Sequence, residues 1–240
     1  MTEAGRLALG YADEIFALGD ELRAALESKR AQPSLPFRVG ITDVVPKAIA
    51  YRLLEPAGRR VPGLRMICRE GKLDRLLAEL ALHRLDMVIA DRPIPANINV
   101  RGDSHKLGES EIAFFAHPRL IETGIGFPEC LDSAPMLLPG DDSTVRGQIE
   151  RWLEGRHLAP RIAGEFDDDA LMRAFGQAGG GFFPAPATLA EEMRRHQGVH
   201  LVGRTETVHE AFYAITGERR ISHPAVLAVT GSAQDLLAAG

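Results

Sequence analysis

Cysteine is scarce: Cys68 and Cys130 are the only two in 240 residues. Two thiols cannot build the disulfide framework of a small secreted domain, and no Cys/His cluster has zinc-ligand spacing. Long apolar runs are missing as well. The longest fall far short of the about 20 residues a membrane-spanning helix needs, and no basic stretch followed by an apolar one marks a signal peptide. Nor is there an excess of basic charge. Lys+Arg number 28 against Asp+Glu 33, a formal net charge of −5, without the basic footprint of a nucleic-acid-binding surface. These absences describe a soluble, thiol-reduced, cytoplasmic protein with no membrane partner and no strong grip on DNA of its own. Hydrophobic content of 45% beside charged content of 25% suffices for a sizeable core, which excludes disorder.

Catalytic signatures are equally thin. Gly179-Gly180-Gly181 lacks the Lys-Ser/Thr that would make it a phosphate loop, and no Gly-x-Gly-x-x-Gly opens a helix after a strand. Its place fits a helix C-cap. No Gly-x-Ser-x-Gly elbow or Cys/His pair supplies a nucleophile. His196 and His200 straddle Gly198, which breaks helical metal geometry. His105 is expected to be an exposed bystander, and Cys68, mid-strand among apolar neighbours, a buried inert thiol. No catalytic residue, cofactor or resident metal is expected.

What is present begins with one apolar stripe, Leu7, Tyr11, Ile15, Leu18, Leu22 and Leu26, spaced by four and three as on a helix face. Thr2 is its expected N-cap. Gln32-Pro33-Ser34-Leu35-Pro36 then breaks the helix as a linker. A helix set apart this way offers its stripe to a second chain; packing on its own domain is the alternative.

Short strands and helices alternate from there. Phe37–Ile41, Leu64–Cys68 and Asp86–Ala90 read as strands, joined by helices from Pro46 to Arg60 and along Leu73, Leu76, Leu77, Leu80 and Leu82. That is the pattern of a parallel open sheet. Residues 93–117 run extended, with Ile112–Ala116 the clearest strand. A second unit follows: strand Pro135–Leu138, helix Ser143–Glu154, strand Arg161–Phe166, helix Asp168–Gln177, then Phe182-Phe183-Pro184. Val199–Val202 and Glu210–Thr216 make an extended return, and a helix follows His223-Pro224. Two α/β units hinged by two crossovers enclose a crevice suited to a small ligand.

In open α/β sheets ligands bind outside the carboxyl ends of strands. Those ends read Thr42-Asp43, Asp91-Arg92, Gly140-Asp141-Asp142-Ser143 and Glu165-Phe166-Asp167. Helix capping accounts for Asp141, Ser143 and Asp167 at least in part, which leaves Asp43 and Asp91 as the sharper candidates. Asp43, Asp91, Asp141 and Glu165 converging between the lobes would concentrate a cation such as Na⁺ or Li⁺, with Asp43 and Asp91 nearest to it. Arg92 and Arg146 neutralising them would suit a small anion instead. The expected effector-binding set is Thr42, Asp43, Asp91, Arg92, Gly140, Asp141, Ser143 and Glu165.

This order of parts resembles the effector-binding region of LysR-type transcriptional regulators, and Thr2-Glu3-Ala4-Gly5 looks like the Thr-x-x-Gly that opens the family's linker helix. Tyr11-Ala-Asp-Glu-Ile-Phe16, Arg38-Val-Gly-Ile-Thr-Asp-Val-Val-Pro46, Leu85-Asp-Met-Val-Ile-Ala-Asp-Arg92 and Gly164-Glu-Phe-Asp-Asp168 are similar to the branch that activates sodium/proton antiporter genes. The resemblance implies an α/β fold of two Rossmann-like lobes of the periplasmic-binding-protein type II, joined by two crossover strands and preceded by the amphipathic linker helix. It implies a linker helix over residues 1–31, lobe I over 36–93 and 217–240, crossovers over 94–118 and 199–216, and lobe II over 119–198. It also implies a homodimer through the helix stripe, with a second antiparallel contact between effector lobes and tetramers as a further assembly. DNA binding is implied only through the family's winged helix-turn-helix, which has no counterpart in these residues. A periplasmic-type solute-binding protein is the alternative, sharing the lobes but needing a signal peptide.

Overall fold

The computed structural model describes residues 34–121, 124–217 and 223–231, with Thr2, Gly5, Ala12, Phe16 and Gly19 as isolated positions before them. In chain order the elements are β1 (Leu35–Thr42), α1 (Lys47–Arg60), β2 (Leu64–Gly71), α2 (Leu73–Ala81), β3 (Met87–Ala90), β4 (Gly102–Ala116), β5 (Pro135–Pro139), α3 (Arg146–Gly155), β6 (Arg161–Phe166), α4 (Asp169–Gln177), β7 (Phe183–Pro186), α5 (Ala190–Gln197), β8 (His200–Gly217) and α6 (Pro224–Thr230). The stripe Leu7, Tyr11, Ile15, Leu18, Leu22 and Leu26 lies outside the described residues. Of that helix, Gly5 donates its backbone N–H to the Thr2 hydroxyl at 3.2 Å, the bond an N-cap threonine makes.

β1, parallel to both β2 and β3, is the centre of lobe I. Phe37 and Val39 are fully buried under α1 and α6 on one sheet face, while α2 covers the other over Val88 and Ala90. β3 pairs antiparallel with the end of β8, and β8 pairs antiparallel with β4 along almost its whole length. The far end of β4 carries β7, so the sheet order is β2-β1-β3-β8-β4-β7. β4 and β8 thus run from one lobe into the other. Their register slips at Lys106/Gly108, Glu111/Ala113 and Phe114/Phe115, the irregularities that let a long ribbon bend.

β5 and β6 form a separate parallel pair, tied to β7's approach by the bridge Met136–Phe182. Lobe II closes around Phe114, Phe127 and Trp152, whose ring centroids lie 5.7–6.1 Å apart. Gly203 is required there: a Cβ would stand 2.2 Å from the Phe127 ring. The chain ends its described course on lobe I. His223 caps α6, accepting the Ala225 N–H at Nδ1, so Nε2 carries the proton and donates to Pro36 O at 3.1 Å.

Several local expectations change. Residues 93–101 form turns and β4 starts at Gly102, while β8 is one continuous strand. α3 begins at Arg146, not Ser143, because Ser143 is spent in turns: its N–H goes to Gly140 O and its hydroxyl accepts from Val145. Asp168, not Asp167, caps α4 by accepting the Leu171 N–H at 2.7 Å. Cys68 is exposed, because β2 is the outer strand of its sheet. Its thiol pKa is still raised by partial burial and by Glu70.

Candidate functional site

The segments that follow β1, β5 and β6 meet over the hinge strands around a small cleft. Its walls are largely apolar, with Pro46, Ile112, Val145, Phe166, Met172 and Pro184 among them. Ser143, Asp167, Asp169 and Glu210 are its polar members.

Charged groups of lobe I reach across the mouth. Lys72, the residue before α2, sets Nζ 2.5 Å from Asp142 Oδ2 and 3.1 Å from Asp167 Oδ2. These bonds raise the lysine's pKa and lower that of Asp142. Arg92 donates from Nη2 to the Asp142 carbonyl. Beside it the buried Asp91 uses both carboxylate oxygens, accepting Arg92 Nε at 3.1 Å and the Thr144 backbone N–H at 3.0 Å. On α1, Lys47 lies 3.9 Å from Asp168, and Arg52 donates to Thr188 O at 3.0 Å and to Glu192 at 3.3 Å. The cations of this clasp belong to lobe I and, apart from Asp91 for Arg92 and Glu70 for Lys47, their acceptors to lobe II. Asp91 alone reverses the direction.

Beneath the clasp lies a buried acid pair. Asp169, in the first turn of α4, meets Arg173 one turn later, Oδ2 to Nε 2.8 Å, both 8% exposed at the side chain. Burial pushes the Asp169 carboxyl up to about 6, against the pull of Arg173; desolvation exceeds the Coulomb gain at such depth. Glu210, on β8 opposite Ser110 of β4, is 5% exposed. Burial drives its pKa well above the ordinary carboxylate range, and the charges of Asp169 and Asp91 add to that.

The expected site residues divide accordingly. Arg92 and Asp91 cross the cleft, and Ser143 lines it. Thr42 is buried at the end of β1, its Oγ1 without a hydrogen-bond partner among the described residues. Gly140 donates its N–H to Phe166 O at 2.7 Å, and a Cβ there would displace the Asp167 carboxylate, 2.2 Å away. Asp43 bonds through its backbone to Gly71 O, and Asp141 is exposed.

Glu165 points away. Phe166 fills the cavity side of β6, and the alternation of the strand turns Glu165 to Arg146, 2.7 Å distant. The convergence of Asp43, Asp91, Asp141 and Glu165 on a cation is therefore corrected. Asp91 and Glu165 are engaged elsewhere, and among the described residues no group of three or more His, Cys, Asp or Glu is placed to hold a metal ion.

Sequence reasoning passed over Lys72, Asp169, Arg173 and Glu210. For Glu210 a signal existed: Val208, Glu210, Phe212 and Ala214 alternate inward along β8.

A family model, the LysR substrate binding domain, matches residues 30–238. The chain is 34% identical to the transcriptional activator protein NhaR of Escherichia coli K12 over 225 residues, 94% of this chain and 74% of that protein. It belongs to the LysR family. Its fold accords: the reduced regulatory domain of OxyR from Pseudomonas aeruginosa superposes with a TM-score of 0.65 at 16% identity, covering 85% of this chain and 99% of that one. HinK, a LysR family regulator of the same organism, gives 0.64 at 18% identity over 98% and 82%. This is the periplasmic-binding-protein type II architecture of LysR regulatory domains. The chain is thus a ligand-sensing regulatory domain of the LysR type, a family of regulators rather than enzymes that act as oligomers and bind small effectors and DNA. Among the described residues no helix is long and apolar enough to cross a membrane.

Proposed function

We propose that this domain senses a small effector by closing its two lobes around it, and passes the closure to a LysR-type activator working as a cytoplasmic homodimer. The clasp of Lys72, Arg92 and Asp91 across a cavity at the hinge strands carries this reading. A ligand drawing contacts from both lobes favours the closed arrangement and can shift the equilibrium only by that difference. The likeness to NhaR favours a transcriptional activator over a solute carrier. The antiporter resemblance points to a sodium response.

Self-association has two supports. One is the stripe from Leu7 to Leu26. The other is exposed apolar side chains on opposite lobes, Tyr51 and Met66 on lobe I against Ile162, Leu171 and Phe175 on lobe II, which suit an antiparallel lobe contact. Changing Ile15, Leu18 and Leu22 to Ser is expected to shift the sedimenting species from dimer toward monomer at micromolar concentration. An unchanged mass would mean that the stripe packs internally or that the lobe contact alone suffices.

DNA recognition is assigned to the family's reader domain. With a net charge of −5, this chain is expected to give no mobility shift on antiporter promoter DNA at moderate salt. Tight, sequence-specific binding would contradict that assignment.

A further inference from the structure

We propose that the cleft takes a small organic cation, a primary ammonium on a compact apolar body, with its charge seated against Glu210 and Asp169. This names the ligand class of the effector cleft and rests on that reading.

The lining is one-sided in charge. Asp167, Asp169 and Glu210 belong to it, and no Lys, Arg or His does. The cations nearby are already engaged: Arg173 by Asp169, Arg92 by Asp91, Lys72 by Asp142 and Asp167. Glu210 is left without a partner. It is 5% exposed, lines the cavity, and no hydrogen bond or ion pair to its carboxyl group is present among the described residues. The charged groups facing it are acidic, Asp169 on α4 and Asp91 after β3. A buried acid so placed keeps its proton until a positive charge arrives.

An ammonium supplies that charge with three donors, and Pro46, Ile112, Phe166, Met172 and Pro184 supply walls for an apolar body. The exchange balances: Glu210–COOH and R–NH₃⁺ give the carboxylate–ammonium pair, and one proton leaves to solvent. A bare alkali ion would leave those apolar walls without a partner, and no metal-holding group exists among the described residues. An anion would find no base in the lining, and the N-terminus of α4 is already capped by Asp168 and flanked by Asp169.

The test uses the whole chain, titrated near pH 6.5 with isobutylammonium chloride against NaCl, LiCl and sodium isovalerate at constant ionic strength. Thermal midpoint and proton release are read together, on wild type, Glu210→Gln and the mouth variant Asp142→Asn. The amine is expected to raise the midpoint where NaCl and LiCl do not, and to release protons toward one per site. Glu210→Gln should melt cooperatively, release only the small fraction of a proton that Asp169 still holds at that pH, and weaken amine affinity by about a hundredfold; Asp142→Asn should keep the proton release. An amine effect equal to that of NaCl, or undiminished in Glu210→Gln, overturns the proposal. So does stabilisation by isovalerate or by Li⁺ instead. Lobe closure is followed separately by small-angle scattering, so compaction with isovalerate would retain the effector cleft while rejecting the cation.

Discussion

Replacing Arg173 by alanine is expected to destabilise the domain by roughly 3–5 kcal/mol at neutral pH, because it strands a buried carboxylate. Asp169 and Arg173 are each 8% exposed at the side chain and 2.8 Å apart, so neither has water to fall back on. The loss should depend on pH. The Asp169 carboxyl sits at about 6 in the folded chain against an ordinary 3.8. A raised folded value means that its contribution is fully present below about pH 4 and is lost as pH rises through 6. Without Arg173 the folded value climbs further, extending that loss above pH 6. At pH 5 both proteins hold the proton and the difference should shrink by about 1–2 kcal/mol. Urea unfolding followed by the single, buried Trp152 at pH 5 and pH 7.5 checks this. Equal losses at both pH values would reduce Arg173 to a packing residue.

Asp91→Ala is expected to loosen the closed cleft more than loss of any exposed ion pair. Its Oδ2 accepts the Thr144 N–H from the opposite lobe at 3.0 Å, and its side chain is 1% exposed. A buried, charge-assisted hydrogen bond is worth about 1.5–3 kcal/mol, so the closed population should fall by about ten- to a hundredfold. Lys72, 44% exposed at the side chain between acids that are 57% and 66% exposed, is expected to contribute about 0.2–1 kcal/mol per pair, and less in salt. Small-angle scattering should show a larger radius of gyration for Asp91→Ala, a small change for Lys72→Ala, and an intermediate one for Asp91→Asn, which keeps an acceptor but not the charge. An Asp91→Ala scattering curve that overlays wild type would remove Asp91 from the clasp.

Much of this architecture was legible in the chain. Alternating strands and amphipathic helices, with Pro46 and His223-Pro224 as helix starts, announce two α/β units, because burying one face of each element leaves only a few layer arrangements. The strand-end rule placed Asp91, Arg92 and Ser143 at the cleft, since parallel strands deliver their carboxyl ends to one side of the sheet. Local rules failed where neighbours are chemically alike. Asp141 and Asp142, or Asp167 and Asp168, are equivalent as sequence. A single turn's dihedrals decide which caps a helix and which reaches Lys72.

Cys68 was misjudged because an apolar run does not say which strand lies outermost in the sheet. The acids that characterise the cavity came from farther still. Asp169 was hidden as one more helix-start aspartate, and Glu210 as a polar residue in a crossover, though its inward phase on β8 marked it. Only the folding of β8 against β4 and the approach of α4 bring Glu210 beside Asp169 and Asp91, at a buried cavity whose lining holds no basic side chain. Burial and mutual charge are properties of that assembled space, which is why the chain alone determined the lobes and their hinge while the tertiary structure decided the character of the site between them.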